Sequence, residues 1–307
     1  MKKVSIITVN HNQPEATEAL LDSIFNTNTY FSLEIIVVDN GSTTDPTHPW
    51  KRKFPAVNFI RSEVNLGYAG GVNLAIREAI GDYYLIVHND TEFTEELIDH
   101  LVETLDNHDE VGIVSPKIRY MDKRDTIQYA GYTAMHYNTC TTRCIGRNEK
   151  DNGQYDNATG PTAYVHRSAM MVRKEMIRKA GEMPEIYFLY YEEMDWCEQI
   201  RNAGFAIWVN TKALIYHKGT LSTATGSDMR EYLTSRNRLL FIRRNCVWRV
   251  RASFWLYFIF IVAVGKMLRY LQKRQGTFLR QLFKAIYWNM SYTIYSEEIG
   301  YDVSARS

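Results

Sequence analysis

The sequence has few cysteines, and their spacing gives no support for a zinc site. Four occur among 307 residues, and Cys140 and Cys144 form a close pair that no second pair follows at zinc-site spacing. We therefore expect free thiols in a reducing compartment. A secretory signal is also missing at the start, because only six residues, Val4–Val9, precede a polar turn. This opening predicts a cytoplasmic protein.

Acidic residues are missing from one long stretch of the chain. Residues 232–296 contain twelve basic residues and no Asp or Glu, whereas residues 1–231 carry 23 basic and 32 acidic side chains. The overall composition, 45% hydrophobic and 23% charged, excludes a disordered chain, a collagen-like repeat and a polytopic membrane protein. We predict a catalytic or binding body over residues 1–226 and a basic, aromatic-rich helical region over residues 227–307.

The apolar run in that basic region is short. Residues 252–265 form 14 uncharged positions between Arg251 and Lys266. A spanning helix needs about 20 apolar residues, so the run favours a helix at a membrane surface or packed within the protein. Aromatic residues among basic ones suit anionic headgroups, and the segment is too apolar for a nucleic-acid-binding face. A buried helical hairpin or a homodimer contact is an equally good interpretation.

The first 115 residues alternate short apolar runs with helical stretches. This pattern predicts an α/β protein with a mostly parallel sheet flanked by helices and a C-terminal helical extension. The predicted strands are 4–9, 34–38, 57–60, 83–87 and 111–115, and the predicted helices 14–26, 69–80 and 95–107. Residues 116–162 are less regular. A helix over 190–203, strands over 206–209 and 213–216, and helices from 228 to about 295 complete the prediction.

Three polar clusters follow predicted strands: Asn10-His11-Asn12, Asp39-Asn40-Gly41-Ser42 and His88-Asn89-Asp90. Ligands of parallel sheets bind beyond the carboxyl ends of the strands, where these clusters lie. Asp90 is suited to a divalent metal that binds a diphosphate, although a turn or helix-cap role is the commoner one for a lone Asp. Asp39 has the same two interpretations, a turn residue or a nucleoside-binding acid.

A glycine-rich segment, Asn65–Asn73, opens a predicted helix. Its exposed amides suit an anion or a sugar. The spacing of Gly67, Gly70 and Gly71 does not match G-x-G-x-x-G, which argues against a nicotinamide-dependent Rossmann enzyme.

Further along the chain, Glu192, Glu193 and Asp195 crowd the start of another predicted helix. Mutual repulsion there raises carboxyl pKa values and suits a general base or a metal site, while the helix dipole alone also favours acids at this position. His217 follows a predicted strand and precedes Gly219, so it is a candidate metal ligand if it lies near Asp90.

Taken in order, these segments resemble glycosyltransferase family 2, the inverting enzymes of GT-A fold, and most closely its rhamnosyltransferase-like subset. The matching segments are Val4–Asn12, Val37–Ser42, Asn65–Asn73, His88–Thr91, Tyr191–Cys197 with Arg201 and Ala203-Gly204-Phe205, His217–Gly219, and Tyr232 with Arg236-Asn237. The sequence departs from the family in three places: His88 replaces the first acid of D-x-D, Glu193 replaces an Asp, and Trp196 replaces the usual Leu.

The resemblance implies a role for each candidate residue. Glu193 would be the catalytic base, and Asp90 with His217 would hold Mg²⁺ or Mn²⁺. On the acceptor side lie Glu192, Asp195 and Trp196. A dTDP- or UDP-linked sugar would contact Thr8, Asn10, Asn12, Asp39, Asn65, Gly67, Gly71, Asn73, His88, Asn89 and Arg236, although Arg236 is nearly as well explained by a structural salt bridge.

The implied reaction is inverting transfer of a hexosyl or deoxyhexosyl group, with rhamnosyl one candidate, to a glycan acceptor. If the basic region contacts a membrane, the acceptor is a lipid-linked glycan at its cytoplasmic face and the product belongs to cell-surface polysaccharide synthesis. The alternative function is a non-catalytic GT-A-like protein that binds a carbohydrate or a partner.

Overall fold

A ten-stranded sheet forms the centre of the protein in a computed structural model, which describes residues 1–219 and 227–302. The strands are β1 (Val4–Asn10), β2 (Leu33–Asn40), β3 (Val57–Ser62), β4 (Tyr83–His88), β5 (Thr91–Phe93), β6 (Val111–Tyr120), β7 (Ile127–Tyr129), β8 (Gly160–Pro161), β9 (Ala169–Arg173) and β10 (Ala206–His217). They lie in the order β3-β2-β1-β4-β9-β6-β10-β5, with β7 beside β6 and β8 beside β10. Strands β1 to β4 run parallel and β6 runs parallel to β10, while β9 is antiparallel to its neighbours β4 and β6. The predicted α/β class is confirmed.

Helices cover both faces of this sheet. They are α1 (Pro14–Thr27), α2 (Thr47–Lys53), α3 (Gly67–Glu78), α4 (Leu97–Asn107), α5 (Lys174–Ala180), α6 (Glu192–Asn202), α7 (Ser227–Asn245), α8 (Trp248–Tyr257), α9 (Val264–Gln272) and α10 (Gly276–Ser291). The sequence pattern did not predict α2 or β5. Both are too short to show a period: α2 buries Thr47 and Trp50 alone, and β5 has three residues.

Strand β10 is one element where the sequence predicted two. Its pairing with β6 shifts register between Asn210 and Leu214. The side-chain oxygen of Asn210 accepts hydrogen bonds from the backbone amides of Lys212 and Ala213, at 2.9 and 3.1 Å. A β-bulge therefore replaces the predicted loop and lets the strand continue to His217.

The central strands are buried on both faces. Along β1, Ile7 packs into the core between the sheet and α3, while Val4 and Ile6 pack into the core beneath α1 and α4. This two-sided burial explains why the strands appear in the sequence as near-continuous apolar runs.

The C-terminal helices pack against the body rather than standing apart from it. On α7, the Asn237 amide donates to the backbone oxygens of Tyr187, Leu189 and Tyr190 at 2.8–3.0 Å, and the Phe241 ring lies 5.8 Å from that of Tyr191. The predicted boundary at residue 226 falls at 220–226, outside the described residues, so the two-domain division stays a prediction.

One helix in the described part of the chain is long and apolar enough to cross a membrane by length and composition. It spans Trp248–Gln272, 25 residues, and consists of α8, a π-helical segment (Phe258–Ala263) and α9. The helix is thus longer than the 14-residue uncharged run from which a surface or packed helix was predicted.

Candidate active site

The predicted polar clusters lie side by side at one edge of the sheet. Asn10 at the end of β1 is in register with Asp39 of β2, and Val9 is in register with His88 of β4. Because these strands are parallel, their carboxyl ends lie at the same edge of the sheet, where ligands of such sheets bind.

Asp39 is the centre of a buried hydrogen-bond network. Its carboxylate accepts from Asn10 Nδ2 at 2.7 Å and from Ser42 Oγ at 2.5 Å, and it forms an ion pair with Arg61. Arg61 lies directly opposite Asp39 in the β2–β3 register. Arg61 was not predicted from the sequence, since one basic residue in a short strand carries no local signal.

The other predicted donor-side residues next to this network are held by backbone contacts. Asn12 Oδ1 accepts from the Thr43 amide at 2.8 Å, and Asn65 Oδ1 accepts from the Gly67 amide at 2.9 Å. Thr8 Oγ1 is buried and has no hydrogen-bond partner within 1–219 and 227–302.

The glycine-rich entry to α3 is shaped by close packing. Gly67 has φ +74°, and a Cβ there would lie 2.4 Å from the Phe188 carbonyl oxygen. A Cβ on Gly71 would lie 2.8 Å from a methyl of Val9, and Asn73 Nδ2 donates to the Met183 carbonyl at 2.8 Å. These contacts fix α3 against β1 and against the loop after α5. Gly71 and Asn73 therefore have structural partners in addition to their predicted donor-binding role.

Three side chains with metal-ligand atoms converge just beyond β4. One ligand atom each from His88, Asp90 and His217 lies within 4.8 Å of the other two. His217 Nε2 is 3.1 Å from Asp90 Oδ1, and His88 Nδ1 is 3.7 Å from the same oxygen. Asp90 Oδ2 is buried with no hydrogen-bond partner in the described chain. Two imidazoles and one carboxylate, whose Oδ2 has no partner in the part of the chain described, fit a divalent transition metal.

The protonation states of these groups favour metal binding. Burial opposes ionisation of Asp90, but the His217 hydrogen bond and the two nearby imidazoles outweigh it and lower the Asp90 pKa to about 2. Burial, with the Arg167 charge, lowers the pKa of His88 to about 3. The carboxylate is therefore ionised and His88 is neutral at pH 7, as metal ligands must be. Asn89 between them bonds Thr17 Oγ1 at 3.1 Å instead.

Gln128 of β7 contacts the imidazole of His217 on its Nδ1 side. Gln128 Oε1 lies 2.8 Å from His217 Nδ1, and Ser168 Oγ lies 3.1 Å from Nε2. A Cβ on Gly219 would come within 2.7 Å of Gln128 Nε2, so this glycine leaves the space that the amide occupies. Gln128 was not predicted from the sequence.

The acidic pair Glu192 and Glu193 opens α6. The helix is entered through Tyr190 and Tyr191, both with left-handed backbone at φ +73° and +76°. Glu192 is fully buried, whereas Glu193 is partly exposed. Both Glu192 carboxylate oxygens and Glu193 Oε2 have no hydrogen-bond partner among the residues described. Burial raises the pKa of both carboxyl groups.

Arg167, just before β9, is a charged site residue that was not predicted from the sequence. Its positive charge opposes the pKa rise of both glutamates. Its guanidinium lies 4.9 Å from the Tyr190 ring, and its Nη1 is buried with no partner in the described ranges. No motif marks this position.

Tyr68 connects the acidic pair with the metal-type cluster. Its hydroxyl donates to the Arg167 carbonyl at 3.1 Å, and its ring packs edge-on against His88 at 5.0 Å. Burial, then the charges of Glu192, Glu193 and Asp90, raise the pKa of the Tyr68 phenol. The carboxylate pair and the metal-type cluster are thus both close enough to Tyr68 for their charges to act on its phenol.

Trp196 and Asp195, both predicted to lie on the acceptor side, are in the packed interior. Trp196 is fully buried and donates from Nε1 to the Gly181 carbonyl at 2.9 Å. Asp195 is buried and pairs with Arg244 at 3.0 Å.

Arg236 is also fully buried. It stacks 4.0 Å above the Trp288 ring and donates to the Ile186 carbonyl at 2.7 Å. These three side chains have partners within the described residues, and their roles towards donor or acceptor stay predictions.

Comparison with known families gives one extended match. The model described as glycosyl transferase family 2 matches residues 5–181, more than half of the chain.

Two relatives with named activities match over most of their own length. A low-salt glycan biosynthesis hexosyltransferase of Haloferax volcanii is 27% identical over 77% of this chain and 74% of that protein. An N-acetylglucosaminyl-diphospho-decaprenol L-rhamnosyltransferase of Mycobacterium tuberculosis is 22% identical over 71% of this chain and 77% of that protein.

Solved structures share the fold at low identity. The mannosyltransferase PcManGT of Pyrobaculum calidifontis, in complex with GDP-Man and Mn²⁺, superposes with TM-score 0.58 at 16% identity, covering 94% of this chain and 87% of that one. S. aureus TarS 1-349 in complex with UDP-GlcNAc gives TM-score 0.60 at 18% identity, covering 92% and 80%. These neighbours establish the GT-A architecture.

Proposed function

Because the chain belongs to glycosyltransferase family 2, we propose that it transfers a hexosyl or deoxyhexosyl group from a dTDP- or UDP-linked sugar to a hydroxyl of a glycan acceptor, with inversion. The observation that carries the proposal is that the His88–Asp90–His217 cluster and the Glu192–Glu193 pair both lie near Tyr68. A transferase of this kind needs both parts, one for the leaving diphosphate and one for the attacking hydroxyl.

The donor nucleoside is assigned to the network around Asp39. Asn10, Ser42 and Arg61 hold this carboxylate in a fixed position. An ordered acceptor at the end of a central strand suits ribose hydroxyls or the donor groups of a base. The Thr8 hydroxyl, which has no hydrogen-bond partner among the described residues, is a further contact for the nucleoside.

His88, Asp90 and His217 are assigned to a divalent metal. A bound cation there would neutralise the negative charge that develops on the departing diphosphate. Imidazole ligands favour a transition metal such as Mn²⁺ over Mg²⁺, which prefers oxygen ligands. PcManGT, which shares the fold, was solved in complex with Mn²⁺, and this supports the same choice.

Glu193 is assigned as the general base. It is the partly exposed member of the acidic pair, so an acceptor hydroxyl can reach it. Its carboxylate takes the hydroxyl proton while the oxygen forms a bond to the anomeric carbon and the bond from that carbon to the diphosphate breaks. A single displacement inverts the anomeric centre. Burial, then the charge of Glu193, raise the pKa of the fully buried Glu192, which favours its protonated form beside the base.

The acceptor is assigned to lipid-linked glycans at the cytoplasmic face of a membrane, in cell-surface polysaccharide synthesis. The decaprenol-linked substrate in the name of the mycobacterial relative supports this class, and its rhamnosyl product makes dTDP-rhamnose the first donor to test. The hexosyltransferase name of the Haloferax relative keeps UDP-hexoses in the test as well.

The proposal is tested by donor binding and turnover. Purified protein is screened against dTDP-rhamnose, UDP-glucose, UDP-galactose and UDP-N-acetylglucosamine by thermal shift, with and without Mn²⁺. We expect stabilisation by one donor that requires Mn²⁺ and disappears in Asp90→Ala. Release of dTDP or UDP in the presence of a polyprenyl-diphosphate-linked sugar then measures transfer. Binding without release in any acceptor mixture would favour the non-catalytic alternative.

A further inference from the structure

The helix Trp248–Gln272 has a buried face along nearly its whole length. Phe254, Phe258 and Tyr270 are all buried in the core. Between them, Lys266 Nζ pairs with Glu231 of α7 at 2.8 Å and donates to Ser235 at 2.9 Å. The span from Phe254 to Tyr270 is about 24 Å at 1.5 Å per residue. The helix is therefore fixed lengthwise against the protein.

The opposite face of this helix is apolar and exposed. Leu256, Phe260, Ile261, Leu268 and Leu271 each expose 58–65% of their area. Most steps between them are of three, four or seven residues, and such steps place side chains along one side of a helix. Trp248, at the beginning of the same helix, is 71% exposed as well. A continuous apolar row of this length on a protein surface marks a binding face.

Basic residues lie at both ends of the row. Arg249 and Arg251 are exposed at its start, and Arg269, Lys273 and Arg274 at its end. Acidic residues are missing from the whole sequence between residues 232 and 296. The face therefore combines an apolar centre with positive charge at its ends, which is complementary to an anionic bilayer surface.

A second copy of the chain is a poorer occupant of this face. A two-fold dimer would bring the same surface of each copy together, and this surface has basic groups with no acidic ones to oppose them. Like charges would face each other across the contact. An anionic lipid surface gains from the same charges.

A spanning orientation is also disfavoured. Because one side of the helix is packed along about 24 Å, a helix that crossed the bilayer would pull α7 and its charged side chains into the hydrocarbon region. A helix lying in the plane of the membrane keeps its packed side on the protein and presents its exposed side to lipid.

We propose that the exposed row of helix Trp248–Gln272 docks the protein on an anionic membrane, with the helix axis parallel to the surface and the apolar side chains at the headgroup–acyl boundary. The proposal names the partner of the transferase. It rests on the proposed function only for the lipid-linked acceptor, since docking itself needs no catalysis.

The test uses the full chain and vesicles of about 30% phosphatidylglycerol in phosphatidylcholine. We expect co-flotation of the wild type, binding at least about tenfold weaker to pure phosphatidylcholine, and release at about 0.5 M salt. A triple variant, Phe260→Asp, Ile261→Asp and Leu268→Asp, should lose at least about tenfold in vesicle affinity. The matched control is Phe31→Asp with Ile80→Asp, two exposed apolar residues of the body that are 91% and 64% exposed; its binding should equal that of the wild type.

Three outcomes would overturn the proposal. Equal vesicle binding by the triple variant and the wild type would show that the exposed row does not bind the membrane. A wild-type dimer in solution that ignores vesicles and dissociates in the triple variant would assign the face to a second copy. Resistance of vesicle-bound protein to alkaline carbonate extraction would indicate a spanning helix.

The docking proposal and the transferase proposal fail separately. Glu193→Gln should bind vesicles like the wild type, while the triple variant should keep its turnover on a water-soluble acceptor analogue. Loss of vesicle binding by the triple variant together with absence of turnover in the wild type would therefore support docking and reject the transferase.

Discussion

The side-chain oxygen of Gln128 lies 2.8 Å from Nδ1 of His217, on the side of the imidazole away from Asp90. An amide oxygen can only accept, so Nδ1 of His217 donates to Gln128, and Nε2 is the nitrogen that would give its lone pair to a metal when one is bound. Partners of this kind fix the tautomer of metal-binding histidines and increase their basicity. The contact explains how a short strand outside the predicted motifs contributes to the cluster.

Two near-isosteric changes at Gln128 should act in opposite directions. Gln128→Met removes the acceptor and should weaken Mn²⁺ binding by about 10-fold or more. Gln128→Glu supplies a stronger acceptor and should bind Mn²⁺ at least as tightly as the wild type. Electron paramagnetic resonance of free Mn²⁺ measures both affinities. Equal weakening in the two variants would mean that Gln128 only fills space.

Removing the Asp90 charge should abolish metal binding without unfolding the protein at neutral pH. Asp90→Asn keeps the shape but deprives a metal of its carboxylate ligand, so the Mn²⁺-dependent rise in melting temperature should disappear. Asn89→Ala is the matched control, since the Asn89 amide bonds Thr17 rather than the cluster. A Mn²⁺ response that persists in Asp90→Asn would exclude this cluster as the metal site.

The same carboxylate gives a stability prediction with a defined sign. The Asp90 pKa is lowered from 3.8 to about 2 in the folded protein. Its ionised form therefore stabilises the fold above pH 3.8, and this contribution is lost as the pH falls towards 2. We expect the stability difference between wild type and Asp90→Asn to shrink over that interval in acid denaturation followed by circular dichroism. A difference that grows on acidification would contradict the assigned pKa.

The protonation of Glu193 should determine how the activity falls at low pH. Burial raises the Glu193 pKa above its ordinary 4.5, and Arg167 opposes that rise. Activity should therefore rise with pH through a value above 4.5. Arg167→Met should move this rise in activity to higher pH, whereas Arg167→Lys, which keeps the charge, should move it less. If activity rises at the same pH in Arg167→Met as in the wild type, the charge of Arg167 does not affect the pKa of the base.

Substitution of the base itself separates binding from chemistry. Glu193→Gln should reduce kcat by about 10²- to 10⁴-fold while leaving the donor Kd unchanged. Steady-state rates and donor titration measure the two quantities. If Glu193→Gln turns over as fast as the wild type, another residue is the general base.

Arg236 should act on stability rather than on donor binding. Its guanidinium is buried against Trp288 at 4.0 Å and bonds the Ile186 carbonyl. Arg236→Met removes both contacts and should lower the free energy of unfolding by about 2 kcal/mol, with the donor Kd unchanged. Chemical denaturation and donor titration test this. A weaker donor Kd at unchanged stability would instead support the diphosphate role that the family resemblance implies.

The central sheet was predictable because its strands are buried on both faces and therefore appear as apolar runs between helices. The strand-end clusters were predictable for the same reason, since parallel strands bring their carboxyl ends together. Gln128, Arg61 and Arg167 were not predictable. Each reaches the site from a short strand or a loop, and its role depends on tertiary pairing that leaves no local pattern. Trp196 and Asp195 stood next to the base in sequence, but a helix turns successive side chains to different sides.

The stereochemistry of the product tests the central claim most directly. The account requires one displacement, with Glu193 taking the acceptor proton and the diphosphate leaving from the opposite face. Proton NMR of the first product formed from a donor of defined anomeric configuration should show the opposite configuration, formed only with a divalent metal and not by Asp90→Asn. A product with retained configuration would contradict the assignment of Glu193 and the single-displacement mechanism.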